Sequence, residues 1–277
     1  MDDGSQGVVR VGVGGWTYAP WRGTFFPDKL RQKDELPYMA EHLPSVEVNG
    51  TFYRALKPEV FADWHDQTPD DFVFSLKAPR YATNRKDLAE SASSIDRFLT
   101  SGITELKQKL GPINWQFPQT KVFDPDNFET FLKLLPKEQD GVPLRHAVEV
   151  RHPSFAAPKF AALLQAHGVA PVIAADSSYP QIADPAAPFI YARIMGTTED
   201  EPAGYSDHAL HTWADRIVAW SQGQNPDGIT YLGQPEATKA RDVFLYFISG
   251  HKVRNPQAAL GLVDRLRQRG VQVRTVG

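Results

Sequence analysis

Residues 45–53 read SVEVNGTFY, and residues 145–152 read RHAVEVRH. Successive side chains of an extended chain point to opposite faces. Val46 and Val48 therefore share one face of the first segment, while Glu47 and Asn49 share the other. In the second segment Val148 and Val150 oppose Glu149 and Arg151. The valine faces suit packing against helices. The ionisable faces suit the inside of a closed sheet, where charge is costly unless it is paired or meets a ligand.

Working outward, six more apolar, β-branched runs occur at 8–15, 72–80, 111–118, 169–176, 189–196 and 242–249, each bounded by Gly, Pro or polar residues. Helical patterns lie between them. Leu210, Trp213, Ile217 and Trp220 mark one face of 206–222, with Ser206 as cap. Asp124-Pro125 opens 124–135, and Asn255-Pro256 opens the last helix. Ile95, Phe98, Leu99, Ile103 and Leu106 give one helix over 92–110, and shorter helices are expected near 35–43, 58–67 and 155–167. Strands that alternate with helices are parallel and joined by crossovers. Eight of them in 277 residues predict a (β/α)8 TIM-type barrel, α/β in class, formed as a single domain over 1–277. The competing doubly wound sheet lacks its dinucleotide fingerprint: Gly12, Gly14 and Gly15 run into Trp16-Thr17-Tyr18 with no third glycine opening a helix.

Composition narrows the function. The absence of cysteine excludes disulfides, thiolate nucleophiles, Cys-ligated zinc and iron–sulfur clusters. The formal net charge of -3 supplies no global basic field, so nucleic acid is a disfavoured partner, confined to a local groove. The stretch Met1 to Gly7 lacks the basic start and apolar run of a signal peptide, and no run approaches the ~18 apolar residues of a membrane span. A cytoplasmic protein with no membrane partner is the expectation. Nothing in the sequence specifies an oligomeric state. The long polar stretch 223–241 is expected as a surface excursion before the last strand.

Barrel sites form at the C-terminal strand ends. Those ends carry Trp16, Tyr18 and Trp21 after the first strand, then Glu47, Asn49 and Tyr53, Lys77, Gln116, Glu149, Arg151 and His152, Asp176, Arg193, and Tyr246 with Ser249 and His251. Single members of such a set can be structural fillers of a barrel interior; the whole set at one end points to a site. His65, His146, His167 and His211 fall on helices or strand starts and His42 near a helix end, all away from it.

The strand ends resemble the YecE-like domain-of-unknown-function family (number 72). The matching segments are Gly14-Gly15-Trp16-x-Tyr18-x-x-Trp21-x-Gly23 with Phe25-Phe26-Pro27, and Glu47-x-Asn49-x-Thr51-Phe52-Tyr53. Further matches are Phe74-x-x-Lys77-Ala78-Pro79-Arg80, Gln116-Phe117-Pro118, Glu149-x-Arg151-His152-Pro153-Ser154-Phe155, Arg193 with Gly196, Tyr205-Ser206, Tyr246-Phe247 and Asn255. The resemblance runs from about 9 to 268 and implies a TIM barrel, without implying a reaction. Two positions depart from the family pattern: Met195 stands where a histidine is frequent, and Ile248-Ser249 stand where Asp or Asn is frequent.

Three functions are open at this point. The first is a hydrolase or isomerase acting on an anionic, phosphorylated or sugar- or nucleotide-like small molecule, without a redox cofactor. Glu47 and Glu149 would be its acid/base pair, Lys77, Arg151 and Arg193 its anion binders, and Asn49 and Gln116 its orienting groups. The second is a metal-dependent barrel similar to apurinic endonucleases or sugar isomerases. A divalent metal would draw on Glu47, Glu149, His152, Asp176 and His251, but Lys77, Arg151 and Arg193 crowd the same end. The third is a non-catalytic binder of a ligand or nucleic acid, using the aromatic rim with Arg54, Arg80, Arg85 and Lys86.

Overall fold

The computed structural model describes residues 6–233 and 239–273. All eight expected strands form: β1 Val9–Gly14, β2 Ser45–Val48, β3 Val73–Lys77, β4 Leu110–Gln116, β5 His146–Glu149, β6 Ala170–Ala175, β7 Phe189–Ile194 and β8 Asp242–Phe247. Each pairs in parallel with its sequence neighbours, and β8 returns to β1, so the sheet closes into a barrel. Around it lie α1 Glu35–His42, α2 Pro58–Asp66, α3 Arg80–Thr83, α4 Ala92–Leu99, α5 Pro125–Lys133, α6 Pro158–His167, α7 Asp207–Ser221 and α8 Asn255–Gln268. Among the described residues no helix is long and apolar enough to cross a membrane.

The face assignment made from residue parity holds. Val46, Val48, Val148 and Val150 enter the apolar layer under the helices. The inside is filled at its lower level by Val172, Phe189, Tyr191, Phe244 and Tyr246. Above these sit Glu47, Asn114, Glu149 and Arg193, all buried. The barrel is thus a packed core with an ionic layer near its C-terminal end. Strand β1 approaches β2 so closely that a side chain at position 12 would not fit: a Cβ on Gly12 would lie 2.1 Å from the Ser45 carbonyl oxygen.

Helix caps follow the sequence signals. The Ser206 and Asp124 side chains accept hydrogen bonds from the amides of Ala209 and Asn127. One expectation needs correction. The helix expected over 92–110 stops at Leu99, and Ile103–Lys109 forms a separate tighter turn. Gly102 takes a left-handed φ of 101°, and a Cβ there would meet Pro58 at 2.6 Å, so the chain bends under the start of α2 where the apolar period alone would have continued. The crossover between β6 and β7 contains no helix; Asp176 leaves β6 with a φ of 54°, and 176–188 runs as irregular chain. A small hairpin pairs Glu138–Gln139 with Val142–Pro143 outside the barrel. Of the expected excursion at 223–241, residues 234–238 lie outside the described residues, as do residues 1–5 of the polar N-terminal stretch.

Candidate functional site

The ionic layer is built from inward positions of four strands. Arg193 on β7 stands between the carboxylates of Glu47 on β2 and Glu149 on β5. Its Nη1 donates to Glu149 Oε2 at 2.6 Å, its Nη2 donates to Glu47 Oε1 at 3.1 Å, and its Nε lies 3.1 Å from Glu47 Oε2. The Tyr191 hydroxyl, two residues earlier on the same face of β7, donates to Glu47 Oε2 at 2.6 Å. Asn114 donates to Glu149 Oε2 at 3.2 Å. Arg151 lies over the mouth; its Nε donates to Glu149 Oε1 at 2.8 Å and its Nη2 to Gln116 Oε1 at 2.8 Å.

Charges this deep survive only because they are paired. Burial pushes the Glu149 carboxyl up, but Arg193, Arg151 and Lys77 outweigh it and hold the group at about 2. Burial works against the Arg193 charge, and the two glutamates more than restore it. Burial, with Glu47 adjacent, raises the Tyr191 hydroxyl well above its ordinary value, so it remains a donor. Lys77 is different. Burial, then Arg193, bring it down to about 8, with Glu47 and Glu149 opposing. Its ammonium lies 4.3 Å from the centre of the Phe52 ring.

Above this layer opens a cleft of about 930 Å³. Of the residues expected at the site, Trp16, Asn49, Tyr53, Lys77, Gln116, Arg151 and Arg193 line it together. Glu47 and Glu149 lie beneath its floor, each with no exposed surface. Trp21 does not reach it: the ring is fully buried among Tyr18, Phe25 and Phe26, and its Nε1 donates to the Lys252 carbonyl. Tyr18 packs on Trp21 and carries the Lys252 ammonium 4.3 Å from its ring centre. Tyr246 is buried lower in the barrel, bonded to the Ser45 and Ser75 hydroxyls at 2.7 Å each. Ser45 spends its own proton on the Val73 carbonyl, so the tyrosine donates to Ser45 and accepts from Ser75. His152 caps the turn at Pro153–Phe155 through Ser154. Asp176 accepts from the Tyr205 hydroxyl at 2.7 Å, which in turn accepts from the Gly196 amide, a clasp between two loops. Of the two family departures, Ser249 lines the cleft and Met195 continues the ladder with its amide on the Ala175 carbonyl.

Phe52, Arg54 and Lys252 also line the cleft. Tyr191 and Asn114 join the ionic layer without having been singled out in the sequence. Parity could have found both, since they lie two residues from Arg193 and Gln116. Among the described residues no three His, Asp or Glu side chains converge on a point that could hold a metal ion. The pool named for one is dispersed: Glu47 and Glu149 hold Arg193, His152 holds Ser154, Asp176 holds Tyr205, and His251 lies 4.0 Å from Glu199.

This architecture and these residues correspond to a known family. A family model described as "Protein of unknown function DUF72" matches residues 10–276. The chain belongs to DUF72. UPF0759 protein YecE of Escherichia coli (strain K12) is 31% identical over 151 residues, 53% of this chain and 50% of YecE. UPF0759 protein YunF of Bacillus subtilis (strain 168) is 24% identical over 158 residues, 55% of this chain and 54% of YunF. The chain thus spans about half the length of the curated relatives it matches. The crystal structure of a DUF72 family protein from Thermotoga maritima MSB8 superposes with a TM-score of 0.71 at 24% identity, covering 94% of this chain and 99% of that one. One from Enterococcus faecalis V583 gives 0.67 at 17% identity, covering 95% and 99%. SacUVDE shares the fold more distantly, with a TM-score of 0.50 at 10% identity over 96% of this chain and 99% of that one.

Proposed function

We propose that the cleft binds a small anionic ligand carrying a phosphate or carboxylate, and that Lys77 is the group that exchanges a proton with it in a hydrolase- or isomerase-type reaction. One observation carries this reading: among the described residues Arg54, Lys77, Arg151, Arg193 and Lys252 line the cleft, and no Asp or Glu does. The two carboxylates that balance the inner cations lie under the floor, already spanned by Arg193 and Tyr191. Lys77, Arg151 and Arg193 against Glu47 and Glu149 leave one positive charge in excess at the mouth. An anion there completes the pairing that burial demands.

This reading assigns the acid/base role to the lysine in place of the two glutamates. A carboxyl held at about 2 carries no proton to donate at neutral pH. Both Glu149 oxygens also accept hydrogen bonds from protein groups. An amine at about 8 exists in both forms near neutrality, as general acid–base chemistry needs. Glu47 and Glu149 then act by holding Arg193 in place. Trp16, Phe52 and Tyr53 give the cleft an aromatic wall against which a ring can lie.

The test is thermal unfolding with phenyl phosphate, inorganic phosphate, pyrophosphate and benzoate, in wild type and Arg151→Ala. A ligand that binds only the folded state raises the melting temperature by mass action. A rise with a phosphate compound that disappears in the variant supports the reading. No rise with any phosphate or carboxylate compound overturns it.

A further inference from the structure

A second recess, of about 300 Å³, lies beside the cleft, and Arg54 and Leu56 line both. Its floor is apolar, formed around Phe61 and Phe98, and its rim carries Arg54, Arg85 and Arg97 with no acidic side chain among the described residues. Among the described residues none of these three guanidiniums has a carboxylate within ion-pair distance. Uncompensated arginines around an apolar pocket suit a ligand that is itself part apolar ring and part anion.

The aromatic residues here are as telling as the charges. Tyr53 and Tyr81 are 64% and 54% exposed, and no other Trp, Tyr or Phe among the described residues is as open. Tyr53 borders the cleft, Tyr81 borders the recess, and Arg54 lies on the wall between. The Arg80 guanidinium sits 5.6 Å from the Tyr81 ring centre. The two hollows therefore bring cations and exposed aromatic rings together: Lys77, Arg151 and Tyr53 line the cleft, Tyr81, Arg85 and Arg97 line the recess, and Arg54 lines both.

We propose that cleft and recess together form a track for single-stranded nucleic acid. Backbone phosphates would meet the two cation sets, and unstacked bases would lie on Tyr53 and Tyr81. The proposal rests on reading the cleft as a phosphate site. Repeating anions with a flat ring at each step are the chemistry that uses every element of this surface, whereas a lone phosphate uses the cleft alone. Bases held in a duplex offer no free face to the tyrosines, so a single strand is favoured over a double one. With a chain charge of -3 the attraction is local, which makes the number of phosphates engaged small.

The experiment is fluorescence anisotropy of a labelled oligothymidylate of about ten residues with the full chain, across a salt series. Unlabelled thymidine monophosphate, unlabelled oligothymidylate and a duplex serve as competitors. The variants are Tyr81→Ala and Arg97→Ala, both exposed and both outside the barrel, with melting curves to show that each is folded. The strand should compete far better than the monophosphate or the duplex. Tyr81→Ala should weaken binding roughly 5- to 100-fold. Arg97→Ala should reduce the slope of log affinity against log salt by about 0.7. A strand that does not bind, or binds no better than monophosphate or duplex, overturns the proposal, as do variants that leave affinity and slope unchanged. If pyrophosphate still stabilises the protein in an Arg151-dependent way, that failure belongs to the nucleic-acid track alone; if pyrophosphate also fails, the cleft reading falls with it.

Discussion

Replacing Glu149 by glutamine keeps the shape of the side chain and removes its charge from the centre of the ionic layer. The carboxylate accepts from Arg193 at 2.6 Å, Arg151 at 2.8 Å and Asn114 at 3.2 Å. Its pKa of about 2, against an ordinary 4.5, means that the folded protein favours the ionised form by about 3 kcal/mol. Removing one partner of a buried pair costs a similar ~3–5 kcal/mol, because Arg193 is left with Glu47 alone. A loss near 3 kcal/mol is a large part of a typical domain stability of roughly 5–15 kcal/mol. In a barrel of this size it should lower the melting temperature by about 6–12 °C. The assay is urea unfolding of both proteins at pH 7, with equal slopes to confirm that only stability changes. The sign against pH is determined as well. The folded pKa is depressed, so this contribution is present in full above about 4.5 and is lost as pH falls towards 2. The gap between wild type and variant should therefore close in acid. A cost below about 1 kcal/mol at pH 7 would refute the view that these charges sustain one another.

Three further outcomes follow from the packing. Trp21→Ala should destabilise by about 3–5 kcal/mol, because the ring is fully buried; denaturant curves check this. Tyr246→Phe should cost about 1–2 kcal/mol in urea unfolding, since it breaks the Ser75–Tyr246–Ser45 chain inside the barrel. His146 is pushed down to about 4 by burial, against the pull of the Pro136 carbonyl, and accepts from the Trp115 indole through Nδ1. The unfolded chain protonates this residue first, so stability should fall by up to about 3 kcal/mol as pH drops from 6.5 to 4, and by less in His146→Gln.

The barrel was legible because its strands obey a two-residue period with few exceptions. The split of Val46 and Val48 from Glu47, and of Val148 and Val150 from Glu149, is the split between the helix-facing layer and the interior. The polar and cationic lining was legible for the same reason, as Lys77, Gln116, Arg151 and Arg193 sit at strand ends. What parity does not convey is depth. Glu47 and Arg193 both face inward, yet only Arg193 reaches the cleft, because it lies higher in the barrel and covers the carboxylate. Trp21 sits in a motif with Trp16, but a turn of tight helix at Ala19–Trp21 folds its ring under the loop. The break at Gly102 depends on a close approach to Pro58, distant in sequence, which local periodicity does not record. Lys252 comes to the cleft from beyond β8, where no strand pattern points to it.

The proposed anion site holds Lys77, which burial brings down to about 8. Calorimetric titration of phenyl phosphate between pH 7 and 9 tests it most directly, because a phosphate monoester is already fully ionised there, with its second pKa near ~6. If the Lys77 ammonium helps to hold the anion, affinity should fall about tenfold across that range as the group passes through about 8. Lys77→Met should bind more weakly and show no such fall. Wild-type affinity that stays level from pH 7 to 9, or a Lys77→Met protein that keeps the full dependence, would contradict the account.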